Sequence, residues 1–198
     1  MRRPLSADER TGLLGIAEEA ILARLLREEW PRVRPSALPA GLVEKSGAFV
    51  TLTRRDDGSL RGCVGYVDAR FPLWETVGRA ALAAAFEDDR FGPVTLEEFP
   101  GLALEISVLG ALRSVKPETV IVGTPGLILR LTGRSGLLLP QVPVEHGWDR
   151  QTYLEQTCRK AGLPKDAWTD SSAELRAFTA EVFGRAVGPL AARPPVSG

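Results

Sequence analysis

The chain has 198 residues, 44% of them hydrophobic and 25% charged, which is enough for one sizeable core in an ordinary globular protein. Its 25 basic and 25 acidic residues cancel, so there is no bulk electrostatic pull toward nucleic acid or an anionic membrane. No apolar run approaches the roughly 20 residues that span a bilayer, and MRRPLSADER lacks an apolar segment after its arginines, so a cytoplasmic location is expected.

A first helix is expected from Ser6, where Ser6 and Glu9 form a capping box in which each side chain satisfies an orphan N–H. Leu14, Ala17, Ile21 and Leu25 then share one face, and Pro31 and Pro35 close the segment. GAFVTLTR and LRGCVGYV read as two strands joined by RDDGS, a β-hairpin. PLWETVGRAALAAAFEDD is a helix opened by Pro72, and its alanines at 80–81 and 83–85 favour close approach to a sheet. In GLALEISVLG, Leu102, Leu104, Ile106 and Val108 lie on one strand face and Glu105 and Ser107 on the other. GLILRLTGRSGLLLP is a second hairpin. DRQTYLEQTCRKAGL is a helix with Asp149 as N-cap and Gly162 as its stop.

ELRAFTAEVFG fits either period, because so short a run does not separate helix from strand. The closing Pro/Gly/Ala-rich stretch, 185–198, reads as a disordered tail after a single domain over 5–184. Hairpins mixed with helices, without regular strand–helix–strand alternation, indicate an α+β fold with a mainly antiparallel sheet and flanking helices.

The stretch SLRGCVGY holds the sharpest candidate site. Alternation along a strand puts Arg61 and Cys63 on one side and Leu60, Gly62 and Val64 on the other. A guanidinium beside a thiol favours the thiolate, the nucleophilic form, whereas the plain alternative is that Cys63 is a small buried apolar residue. Gly62 leaves a bare face, which permits a backbone or helix to approach closely. Glu105, in the middle of its strand, is the expected ion-pair partner of Arg61. Gln141, after LLLP, is a neutral group suited to orienting a ligand. Cys158 falls on an apolar helix face and reads as structural.

Several other site types do not fit. Gly58, Gly62 and Gly65 lie within a hairpin rather than between a strand and a helix, which argues against a dinucleotide loop. The single His146, with Cys63 and Cys158 far apart, matches no zinc spacing, and no metal or cofactor is expected. Trp148, next to Asp149, suits a staple at a helix start.

LRGCVG, AAAFEDDRFGPV, LEISVLG, GLLLPQVPVEHGWD and CRKAGLPKDAW follow one another in an order that resembles the AMMECR-one family, which in bacteria and archaea is called AmmeMemoRadiSam system protein A. The likeness runs from about Leu5 to Phe183. It implies an α+β fold with a larger sheet-and-helix portion, a smaller lobe and a cleft near the LRGC segment. It also favours strand for ELRAFTAEVFG. The family's motif residues carry over as Arg61, Gly62, Cys63, Gly65, Glu105 and Gln141. Gly92 and Pro143 stand where the family commonly has proline and alanine. The family name implies Memo-type and radical SAM proteins as partners.

Three functions compete on these grounds. The leading one is an enzyme or enzyme subunit in which Cys63 is the nucleophile, Arg61 activates it and binds an anionic group, and Glu105 positions Arg61 or acts as general base. Gly62, Gly65 and Gln141 would then line the ligand site. The second is a non-catalytic partner or scaffold with a peptide or small-molecule cleft. The third, a nucleic-acid-binding regulator, rests only on Arg54, Arg55 and Arg61.

Overall fold

The computed structural model describes residues 3–31 and 35–188. Its elements in chain order are α1 (Ala7–Leu25), α2 (Ala40–Val43), β1 (Ala48–Arg54), β2 (Leu60–Tyr66), α3 (Leu73–Phe86), β3 (Leu102–Leu109), β4 (Arg113–Ser114), β5 (Gly126–Leu131), β6 (Arg134–Leu138), α4 (Val142–Glu145), α5 (Arg150–Lys160), β7 (Glu174–Phe178) and β8 (Ala180–Ala186). They form two four-stranded sheets, ordered β2-β1-β3-β8 and β4-β7-β5-β6, in an α+β fold. The chain clusters into two compact units. One is Leu109–Ala180, and the other is Arg3–Val108 together with the chain from Glu181 on.

In the discontinuous unit, α1 begins as its capping box requires. Ser6 Oγ accepts from the Glu9 N–H at 3.2 Å, and Glu9 Oε2 accepts from the Ser6 N–H at 2.9 Å. The helix stops at Leu25, short of the expected Pro31. Arg27 takes the left-handed conformation at φ 58°, its N–H donates to the Arg24 carbonyl, and the Glu28 N–H donates to the Ala23 carbonyl. That is a Schellman ending with arginine in the place usually held by glycine. Without a glycine the stop leaves little trace in the sequence.

Leu14, Ala17 and Ile21 from α1 join a core with Val77, Ala80, Ala81 and Ala84 from α3. The inward faces of β1 and β3 complete it, through Ala48, Val50 and Leu52 and through Leu102, Leu104, Ile106 and Val108. Gly62 lies opposite Leu52, on this inward face, directly against the main chain of α3. A Cβ there would sit 3.1 Å from the Ala84 carbonyl carbon and closer still to its oxygen. The bare strand face is filled by a helix backbone.

In the continuous unit, Leu127, Leu129, Tyr153, Leu154, Cys158 and Ala177 form the core. The β5–β6 hairpin turns at Thr132 and Gly133, both with positive φ, as a two-residue primed turn requires. Asp149 caps α5 by accepting from the Thr152 N–H at 2.8 Å, and Gly162 follows its end at φ 68°. ELRAFTAEVFG becomes two strands broken at Thr179, β7 in one sheet and β8 in the other. β8 continues through Ala186, and buried Val187 donates its N–H to the Leu102 carbonyl at 2.9 Å. Ordered structure therefore passes the expected boundary at 184, while 189–198 lie outside the described residues. Among the described residues, no helix is long and apolar enough to cross a membrane.

Candidate functional site

Among the described residues β2 is an edge strand, paired with β1. The pairing carries a bulge, with Leu52 opposite Gly62 and Thr53 opposite Leu60, so Arg61 has no counterpart in the ladder. A bulge re-aims the extra residue. Simple alternation therefore fails at Arg61, and the expected Arg61–Glu105 ion pair does not form. Arg61 turns instead to the loop after α3. Its Nε donates to Glu98 Oε1 at 2.5 Å, and its Nη2 donates to Glu98 Oε2 at 3.0 Å and to the Gly92 carbonyl at 2.8 Å. The guanidinium lies 5.7 Å from the centre of the Phe91 ring, and the residue is only 5% exposed. Hydrogen bonding from Arg61 holds the Glu98 carboxyl below its ordinary range. Arg61 is thus a brace between strand and loop, and its Nη1 is buried without a hydrogen-bond partner among the described residues.

The cation beside Cys63 is Arg90. The Cys63 N–H, on the free edge of β2, donates to Asp88 Oδ2 at 2.9 Å. Arg90 grips the same carboxylate through Nε at 2.9 Å and Nη2 at 2.7 Å, and that Nη2 lies 3.5 Å from the Cys63 carbonyl oxygen. The Arg90 hydrogen bond holds the Asp88 carboxyl well below the usual carboxylate range, against the opposing effect of burial. Arg90 is pushed up, first by its hydrogen bond to Asp88, with the negative charges of Asp88 and of an ionised Cys63 adding to the effect. Asp88 and Arg90 thus cap the edge-facing main chain of β2 at Cys63.

The side chain of half-buried Cys63 meets a group that sequence reasoning missed, since Thr51 Oγ1 donates to its sulfur at 3.3 Å. Thr51 faces Cys63 across one ladder and Glu105 across the other, so the three form one cross-strand row. Glu105 is exposed at the far end of that row. With strands about 4.8 Å apart, Glu105 is about 10 Å from Cys63, too far to touch the thiol but well placed for the other end of a ligand lying across the row. Gly65 lies beneath the ring of Phe49, its neighbour on β1. Gln141 belongs to the continuous unit, at the start of α4, where its carbonyl accepts from Val144 and Glu145. His146 stacks on Trp148 at 4.8 Å in that unit.

The traces of the missed residues are modest. GAFVTLTR places Thr51 on the half-exposed face by alternation, and EDDRFG packs charges of both signs just where α3 must end. Among the described residues no cluster of three or more His, Cys, Asp or Glu side chains is suited to a metal.

A two-unit α+β architecture with a braced LRGC strand on the edge of one sheet defines the class, and comparison with known proteins identifies the family. The AMMECR1 family model matches residues 14–183, and the chain belongs to that family. It is 43% identical over 191 residues to protein TK0174 of Thermococcus kodakarensis, covering 88% of this chain and 93% of that protein. It is likewise 43% identical over 147 residues to protein MJ0810 of Methanocaldococcus jannaschii, covering 71% of this chain and 73% of that protein. The crystal structure of the uncharacterised protein PH0010 of Pyrococcus horikoshii superposes with a TM-score of 0.82 at 41% identity, covering 93% of this chain and 96% of that one.

Proposed function

We propose that the row Cys63–Thr51–Glu105 is the working face of an enzyme or enzyme subunit in which the Cys63 sulfur is the nucleophile. The supporting observation is the hydroxyl of Thr51 donating to that sulfur on a half-exposed strand edge. That contact would orient a reacting thiol, and Arg90, held by Asp88, stands beside the Cys63 main chain. Arg90, oriented by Asp88, takes the part first assigned to Arg61, which acts at one remove by holding the loop. Glu105, about 10 Å along the row, addresses the distal end of the ligand as a proton acceptor or an anchor for a positive group. Memo-type and radical SAM proteins remain the proposed partners of such a subunit.

The test is alkylation of the native protein with iodoacetamide at neutral pH, followed by mass mapping. The proposal expects Cys63 to be modified first and Cys158, whose thiol is pushed up by burial, to stay unmodified until unfolding. If Cys63 resists until the protein unfolds, the thiol has no chemical role. The non-catalytic partner reading then takes its place.

A further inference from the structure

A second site is built at the end of the β1–β2 hairpin, and it uses neither Cys63 nor its row. We propose that this concavity binds a small molecule carrying a carboxylate or phosphate group. It is an open cleft of about 340 Å³ lined by Arg54, Arg55, Asp56, Glu98, Gly101 and Leu102. That volume is within the range of about 300–1,000 Å³ common for small-ligand pockets.

The walls are fixed by main chain. The Arg54 N–H donates to the Ser59 carbonyl, the Arg55 N–H donates to the Gly101 carbonyl, both at 2.9 Å, and Arg54 faces Leu102 across the β1–β3 ladder. The guanidinium groups on these walls are held only loosely. Arg54 Nη1 is 3.4 Å from Ser59 Oγ, Arg54 Nη2 is 3.6 Å from Glu98 Oε1, and Arg55 Nη1 is 3.5 Å from the Pro100 carbonyl.

Glu98 would be the natural acceptor for Arg54, but both of its oxygens are taken by the fork of Arg61. Arg61 thereby neutralises Glu98 and leaves Arg54 with donors to offer. Asp56 turns one oxygen back to the Asp57 N–H at 2.9 Å. Within the lining Arg54 and Arg55 stand against Asp56 and Glu98, and the buried guanidinium of Arg61, outside the lining, offsets the charge of Glu98. Arg54 and Arg55 each carry a planar fork of the kind that matches an oxyanion in bidentate fashion. Gly101 leaves the lining open, since a Cβ on it meets no atom within 4 Å.

The experiment is an amide NMR titration of the full chain at constant ionic strength with inorganic phosphate, with succinate and, as control, with chloride. Saturable shifts at Arg54, Arg55, Gly101 and Leu102 are expected with phosphate or succinate near millimolar concentration, about the strength of a few charge-assisted hydrogen bonds. The tighter of the two ligands assigns the anion class. Arg54→Gln combined with Arg55→Gln should weaken binding by about tenfold or more. Gly101→Asp, which adds a carboxylate where there is steric room, should abolish it while the rest of the spectrum stays unchanged. The proposal is overturned if neither anion gives a saturable shift, if chloride gives the same shifts, or if the double variant binds as the parent does.

Discussion

Replacing Gly62 with alanine tests the close approach of β2 to the main chain of α3. The new methyl would lie 3.1 Å from the Ala84 carbonyl carbon and nearer to its oxygen, inside the 3.0 Å that real Cβ atoms essentially never breach. The obstacle is helix main chain rather than a side chain that swings away, so β2 and α3 must separate by about 1 Å to restore ordinary contact. Ala80, Ala81 and Ala84 of that helix are packed in the core, and relief there comes only at the expense of their contacts. Overpacking of this kind costs about 1–3 kcal/mol, and the rigid obstacle places Gly62→Ala near the upper end, about 2–3 kcal/mol. The assay is urea unfolding followed by tryptophan fluorescence in a Trp148→Phe, Trp168→Phe background, in which only Trp30 and Trp74 report, both of them in the unit that contains Gly62. At a slope of about 2 kcal/mol/M the midpoint should fall by about 1 M. Gly15→Ala is the matched control: its Cβ meets nothing within 4 Å and lies mid-helix, so it should gain about 0.5–1 kcal/mol. If Gly62→Ala is as stable as the parent within about 0.5 kcal/mol, the close-approach reasoning is wrong.

Arg90→Met and Thr51→Val should each slow iodoacetamide modification of Cys63 in the folded protein, read by mass mapping over time, with Thr51→Val the cleaner test because it leaves the Asp88 brace intact. Arg61→Met should lower stability by about 1–3 kcal/mol by breaking the fork to Glu98, with a denaturation midpoint as readout and a smaller effect on Cys63 labelling than Arg90→Met. Glu9 is buried, and hydrogen bonding from Arg3 and the Ser6 N–H brings its carboxyl down to about 2 from an ordinary 4.5. Because the folded-state value is depressed, its contribution is complete above pH 4.5 and is lost as pH falls toward 2. Glu9→Gln should therefore destabilise the protein at neutral pH and flatten the stability curve across that acid window, as read from unfolding midpoints at a series of pH values.

Features governed by local chemistry were legible in the sequence: the Ser6–Glu9 box, the Asp149 cap, the hairpin ending in LRGCVGY and the close approach at Gly62. The α+β class followed from their order. The partner of Arg61 was not legible, because alternation counts residues and a bulge inserts one without any local mark beyond nearby glycines. Its carboxylate, Glu98, arrives from a loop whose path depends on how α3 ends. The same loop delivers Asp88 and Arg90, so the surroundings of Cys63 depend on tertiary closure more than on the motif itself. The stop of α1 was missed because Arg27 takes a conformation that sequence rules assign to glycine. Residues 174–186 were ambiguous because they serve two sheets in succession, and no single period describes both.

That division of one segment between two sheets has a consequence for how the protein is made. The edge of β3 that receives β8 is synthesised first, and the intervening unit, Leu109–Ala180, must be translated before β8 exists. At 5–20 residues per second, that edge waits roughly 4–15 s on the ribosome without its strand. An unpaired strand edge is a template for wrong pairing, and a charge in its middle discourages it. Glu105, exposed at the centre of β3, is placed to guard the nascent edge until the last strand arrives.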